Sequence, residues 1–360
     1  MLRFLRRFRC ACPTDAGRLA GLCTVLLWPQ LATAQTAVSS WTMSHADLAN
    51  TAAYSPTINF SNQTNAVTSI TVGTNVRTIA SSADSVFIRR SAAAGDNANI
   101  WEVGPSAGNL SGTDTSAMTL QNVLLGNNEL IGANDVFTNT GGSPSPANNN
   151  IERVDYLWSS GFTAVPDQGF AVFDRAASQS VADGFQVAVF TGWNSGTSRP
   201  TAYGGNVVEV TAGAGSGYGA ALDWDPTGTG VQTTFTYQIL RFTSGDNLTP
   251  LAIADTTGTQ SVFGTYISFA DLGIAAGTVV YGYSIMANDV TNVTANLVDW
   301  NNATFYPTDT PDSTGSIDLL GVNGRRFVPE PSAYGASLLG VMAALVGWRR
   351  YRRRLSARAA

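Results

Sequence analysis

In the stretch TVVYGYSI, Val279, Tyr281, Tyr283 and Ile285 stand at every second position, and the same short alternation recurs along the chain from Gln35 to about Gly324. A period of two puts one set of side chains on each face of an extended strand. DGFQVAVF, NVVEV and DSVFI follow the pattern, each bounded by Gly, Asn, Asp, Ser or Thr. SITVGTNVRTI reads as a hairpin turned at Gly73-Thr74-Asn75. In TFTYQILRF, Phe235, Tyr237 and Ile239 share a face before the phase slips to Leu240 and Phe242, which predicts a bulge near residue 240. No long amphipathic helical pattern competes; only SHADLANTA could form a short turn of helix. The expectation is an all-β body over residues 35–327, an antiparallel β-sandwich of jelly-roll or lectin-like type. TNTGGSPSPANNN, residues 138–150, could subdivide it or be a long loop within one sandwich.

Charge and cysteine usage narrow what such a body can do. All 20 basic residues are arginine. Five lie in residues 1–34 and six in 349–360, so residues 35–328 hold 9 arginines against 23 acidic residues. That balance argues against nucleic acid as a partner. The absence of lysine removes Schiff-base chemistry and P-loop phosphate binding. Cys10, Cys12 and Cys23 all precede Ala34, which leaves the body without a disulfide or a thiol.

Catalytic constellations are sparse. His45 is the single histidine, no G-x-S-x-G occurs around a strand-to-helix turn, and no second His or Cys could complete a triad or a zinc site. A carboxylate pair is what remains for glycan hydrolysis, from Glu152 with Asp155, Asp223 with Asp225, and Glu209. In DWDPTGTG, Asp223, Asp225 and Thr227 alternate and Gly228 falls where a calcium loop turns. Thr234 occupies the twelfth position, where such a loop needs a bidentate Glu, so a Gly-rich β-turn is the competing reading and no cofactor is required. Asp299, Asn301, Asp309 and Asp312 offer a second set of oxygens with the same two readings. Trp101, Trp158, Trp193 and Trp224 could stack on sugar faces or fill the core.

Both termini read as address signals. MLRFLRRFR is a basic n-region, Leu19 to Trp28 a short apolar run, and Ala32-Thr33-Ala34 an A-x-A site, so residues 1–34 are expected to be a signal peptide removed by signal peptidase. Near the other end, Val328-Pro329-Glu330-Pro331 precedes SAYGASLLGVMAALVGW, residues 332–348, an uncharged run about 25 Å long as a helix. That is the lower limit for crossing a bilayer, and the expectation is a single transmembrane helix. Arg349, Arg350, Arg352, Arg353 and Arg354 follow as a basic cytoplasmic anchor, which puts the body outside. Each proline fixes its own φ and biases the preceding residue to extended conformation, so the motif is expected to be an extended, unpaired strand suited to a peptidase cleft.

Motif, apolar run and arginines, in that order over about residues 328–354, resemble the PEP-CTERM sorting signal. The resemblance implies recognition of Val328, Pro329, Glu330 and Pro331 by an exosortase, a multi-pass membrane peptidase. It also implies a transient anchor in the inner membrane of a Gram-negative, exopolysaccharide-producing bacterium. The expected function is that of a noncatalytic surface or matrix protein, with exopolysaccharide as an expected partner in a biofilm. The alternative is a lectin-like module, or a carboxylate-dependent glycan-active enzyme, exported by the same route.

Overall fold

The structure, a computed structural model, describes residues 35–45, 65–90, 99–103, 119–126, 131–140, 150–213, 217–224, 231–241, 252–330 and 340–349. The expected leader, the residues SHADLANTA beyond His45, and residues 141–149 lie outside these. The described residues form an almost entirely β body of two antiparallel sheets.

The smaller sheet runs in the order β10 (Arg199–Val210), β9 (Phe185–Asn194), β13 (Val279–Met286), β7 (Ile151–Thr163), β4 (Ser85–Arg90). Its register explains its two faces. Val86, Tyr156, Tyr283 and Val189 form one row across four strands, and Ile88, Val154, Ile285 and Val187 the next. Both rows point into the larger of two apolar cores. The intervening rows, including Arg89, Arg153, Asp155 and Ser284, point the other way. A bulge at Val280/Gly282 shifts the phase of β13, so Val279 is exposed and Val280 buried, the reverse of the simple alternation. Gly282 is required there, because a Cβ would lie 2.0 Å from the Tyr156 carbonyl oxygen and 2.2 Å from the Phe190 ring.

The larger sheet differs from an open sandwich layer. β1 (Thr36–His45), β2 (Asn65–Val72), β3 (Asn75–Ser82), β14 (Arg325–Pro329), β8 (Gly169–Ala176) and β12 (Ala252–Ser268) pair in sequence, and β1 then pairs with β12 to close a six-strand barrel. Closure removes the edges that an open sheet would expose. The long β12 also carries an extension, since its first half pairs with β11 (Phe235–Arg241), followed by β5 (Asn99–Val103) and β6 (Ile131–Asn134). The predicted bulge is present between Ile239 and Leu240, with another at Tyr237/Gln238. The predicted hairpin is also present, with β2 and β3 joined across Gly73 and Thr74, and Gly73 at φ 61.

β8 and β12 are shared walls. Phe170, Val172 and Ala176 of β8, with Phe263 and Ile267 of β12, face the smaller sheet. Ala171 and Phe173, with Val262 and Tyr266, face the barrel interior, where they meet Val38, Trp41, Val67, Ile70 and Phe327. Both faces of these strands are buried, which is why FAVF is apolar without alternation. Core residues on either side of 141–149, Phe137 before and Ile151 after, belong to one cluster, so that stretch joins parts of one body. A one-turn helix, α1 (Leu120–Leu125), is capped by Thr119 and buries Leu120, Val123 and Leu124 in the same core.

At the C-terminal end the helix spans residues 340–349, ten residues, all exposed. No helix among the described residues is long and apolar enough to cross a membrane. The expected seventeen-residue span is thus helical over its last nine residues, and residues 332–339 lie outside those described.

Candidate functional site

The Val-Pro-Glu-Pro motif lies where the barrel is completed. Val328 and Pro329 are the last residues of β14, paired with Thr78 and Arg77 of β3, and the Glu330 amide donates to the Val76 carbonyl at 3.2 Å. On the other side, Arg326 and Phe327 pair with Phe170 and Gly169 of β8. The expected unpaired strand is corrected: the backbone is extended, as the prolines require, but its hydrogen-bonding groups are taken up by the barrel. Pro329, which has no N–H, sits at the end of the strand beyond the last β8 partner, where a missing donor costs least. Phe327 is fully buried in the barrel core. Arg326 donates to Ser81 Oγ at 3.1 Å and Gln168 Oε1 at 3.0 Å, with its guanidinium 4.4 Å from the Phe162 ring centroid. Pro331 lies outside the described residues. Of the basic tail, Arg349 ends the exposed helix, and Arg350, Arg352, Arg353 and Arg354 lie outside.

Of the carboxylates proposed for hydrolysis, Glu152 and Asp155 are bound into ion pairs, while Glu209 is exposed on β10 opposite Gln186. On the outer face of the smaller sheet, Glu152 Oε2 accepts from Arg89 Nη1 at 2.5 Å, and both side chains are buried. Asp155 accepts from Arg153 Nη2 at 2.9 Å and from Ser284 Oγ at 2.5 Å. Arg153 also donates to the Leu297 carbonyl at 2.8 Å and to the Tyr306 hydroxyl, and Arg89 to the Trp300 carbonyl at 2.7 Å. Residues 297–306 thus cover this face. Burial disfavours the charged Arg153, but Asp155, Tyr203 and Tyr306 outweigh it and hold the guanidinium protonated. Burial pushes the Tyr306 hydroxyl up to about 12. A glycosidase needs one carboxyl as acid and another as free base or nucleophile. Here Glu152 and Asp155 each serve an arginine.

A second acidic group was not singled out in the sequence. Asp174 of β8 accepts the Asp318 and Asp183 amides, both at 2.9 Å, through its two oxygens. Asp318 accepts the Asp135 amide at 2.8 Å and Arg175 Nη2 at 2.6 Å, and Ser316 Oγ donates to Asp183 at 2.6 Å. Burial, then the neighbouring Asp318 and Asp312 carboxylates, push Asp135 up to about 9. Asp318 rises to about 7, mainly by burial, against the pull of Arg175. The signal available in the sequence was an acid isolated within an apolar run, as in FDRA and IDLL.

The expected calcium positions are described only in part. Asp223 Oδ1 accepts the Gln232 amide at 2.8 Å, while Asp225 and Thr227 lie outside the described residues. Among the described residues no three His, Cys, Asp or Glu side chains converge as a metal site would require, the acidic group around Asp174 and the Asp299 to Asp312 set included. Of the four tryptophans weighed for sugar contact, Trp101, Trp158 and Trp224 are core residues. Trp193 is half-buried, its ring 4.9 Å from Phe87 and 5.6 Å from Phe190. Trp300, also half-buried, lies between the guanidiniums of Arg153 and Arg199, 4.3 and 5.0 Å away. Comparison with protein-family models, curated proteins and solved structures finds no match for this chain.

Proposed function

We propose that this chain is a noncatalytic surface or matrix protein of an exopolysaccharide-producing Gram-negative bacterium, exported by its leader and sorted by an exosortase through Val328 to Pro331. The body serves as a sandwich-like, lectin-type scaffold, and residues 332–348 act as a transient anchor in the inner membrane with the arginines on the cytoplasmic side. The observation that carries this reading is the end of the chain: a Pro-Glu-Pro motif, then a helix whose Val341, Met342, Leu345, Val346 and Trp348 are all exposed, then arginines. A helix apolar on every side has no reason to stay in water. Glu330→Ala is expected to leave an uncleaved precursor in the inner membrane of an exosortase-bearing host, followed by immunoblotting of membrane and secreted fractions. Normal processing of that variant would overturn the sorting assignment.

A second reading, glycan binding without turnover, is favoured by the half-buried Trp193 and Phe87 rings and by Trp300 on the outer face of the smaller sheet. Titration of the secreted protein with neutral polysaccharides, followed by tryptophan fluorescence, tests it. Loss of the response in Trp193→Ala supports binding there, and an unchanged response removes this face from consideration.

A further inference from the structure

We propose that β14 is a captured strand, so that the motif it carries can be read by a processing enzyme only before the barrel closes or after it opens. The inference rests on the reading of Val328 to Pro331 as a sorting element, and goes beyond it by making the folding state of the body the gate. A peptidase that takes its substrate as an extended strand binds it by pairing with the backbone. The backbone from Arg325 to Pro329 is already paired with β3, the central Arg326 and Phe327 also with β8, and Glu330 is bonded to Val76. One strand cannot serve both partners at once. The side chains reinforce the capture. Phe327 is an apolar anchor inside the barrel, Arg325 donates to the carbonyls of Gly324 and Leu125, and Arg326 is held by Ser81 and Gln168. Withdrawal of β14 would also reopen β3 and β8 as unpaired edges, so release is a cooperative opening of the barrel rather than fraying of an end.

Two measurements on the full chain test capture and gating separately. The first is limited trypsin digestion of the detergent-solubilised protein, read by mass spectrometry. Cleavage after Arg325 or Arg326 is expected to be at least ~10-fold slower than after the arginines following Trp348, and to rise only at the temperature where the body melts. Cleavage there at a comparable rate in the folded body overturns the capture, whatever the role of the motif.

The second measurement locks the strand. Ser81 and Arg326 face each other across β3 and β14, outside the motif, and the chain beyond Cys23 has no other thiol to mispair. In an exosortase-bearing host, oxidised S81C/R326C is expected to accumulate as precursor and to be processed once reduced. Phe327→Ala, which loosens the strand, is expected to be cut by trypsin near Arg326 and processed faster than wild type. Wild-type processing of the oxidised lock overturns the gate, and Phe327→Ala decides the matter if the lock does not form. Because Glu330→Ala leaves the barrel pairing intact, normal processing of that variant would remove the sorting reading while the trypsin result still reports on capture.

Discussion

Two buried polar groups in this body are built on opposite charge rules. On the outer face of the smaller sheet, Arg89 and Arg153 meet Glu152 and Asp155, two cations against two anions. Around β8, the carboxyls of Asp135, Asp174, Asp183 and Asp318 gather where the one guanidinium among these groups, that of Arg175, pairs with Asp318. In the first group each buried charge faces an opposite one, which works against the burial that raises Asp155 and lowers Arg89. In the second, four carboxyls have one cation near them, and burial, with repulsion from neighbouring carboxylates that include Asp312, raises all four. The first group should therefore be sensitive to mutation and the second to pH.

The largest effect is expected from breaking the matched group. Arg153→Met leaves Asp155 buried beside Ser284 without its cation, and should cost about 3–5 kcal/mol in denaturant unfolding. Arg153→Met with Asp155→Leu removes both charges, and should recover at least ~2 kcal/mol of that loss, because a buried pair replaced by apolar groups often costs little. A double variant no more stable than the single one would show that the pair itself, rather than its balance, holds residues 297–306 on the sheet.

The unmatched group predicts a pH dependence of defined sign. A carboxyl whose folded pKa lies above its unfolded value binds its proton more tightly in the folded state. Its contribution is full below the ordinary carboxylate range and is lost as pH rises through about 7 for Asp318 and about 9 for Asp135. The melting temperature should therefore fall between pH 5 and pH 9. Asp135→Asn sharpens the test. Asp135 sits at φ 48, a conformation asparagine tolerates, and its Oδ2 accepts from Asn134 Nδ2 at 2.7 Å, a bond an amide oxygen can keep. The variant should gain on wild type as pH rises from 5 to 9, by at least ~2 kcal/mol over that interval. Equal stability at both values would mean that Asp135 does not carry the mismatch.

The two groups were also unequally legible in the sequence. Period-two runs revealed which faces of β7 and β13 are apolar, but Arg153 and Asp155 looked like ordinary acids and bases on a solvated face. Their cover, residues 297–306, has no periodicity to announce it. Asp174 and Asp318 could be noticed as acids among apolar residues, yet their convergence depends on the segment at Asp318 returning to bridge β8, a contact between Asp174 and Leu319 that no local pattern encodes. The C-terminal motif shows the same limit. Its prolines foretold an extended backbone, whereas the partner strand at Arg77 to Ser82 is remote in sequence and had to be seen in the fold.

The smallest effect should come from an ion pair that belongs to neither group. Arg77 Nη2 meets Asp167 Oδ1 at 2.7 Å, but the Asp167 side chain is 64% exposed while that of Arg77 is 6% exposed. A carboxylate in water contributes little, and Arg77 has other partners: it donates to the Asp167 carbonyl and, at 3.2 Å, to the Tyr266 hydroxyl, and it lies 4.4 Å from that ring centroid. Asp167→Ala leaves those contacts in place and should cost less than about 1 kcal/mol, with the difference shrinking further in high salt. A loss comparable to that of Arg153→Met would mean that matched charge matters at the rim of the barrel as much as beneath residues 297–306, and burial would no longer distinguish the two settings.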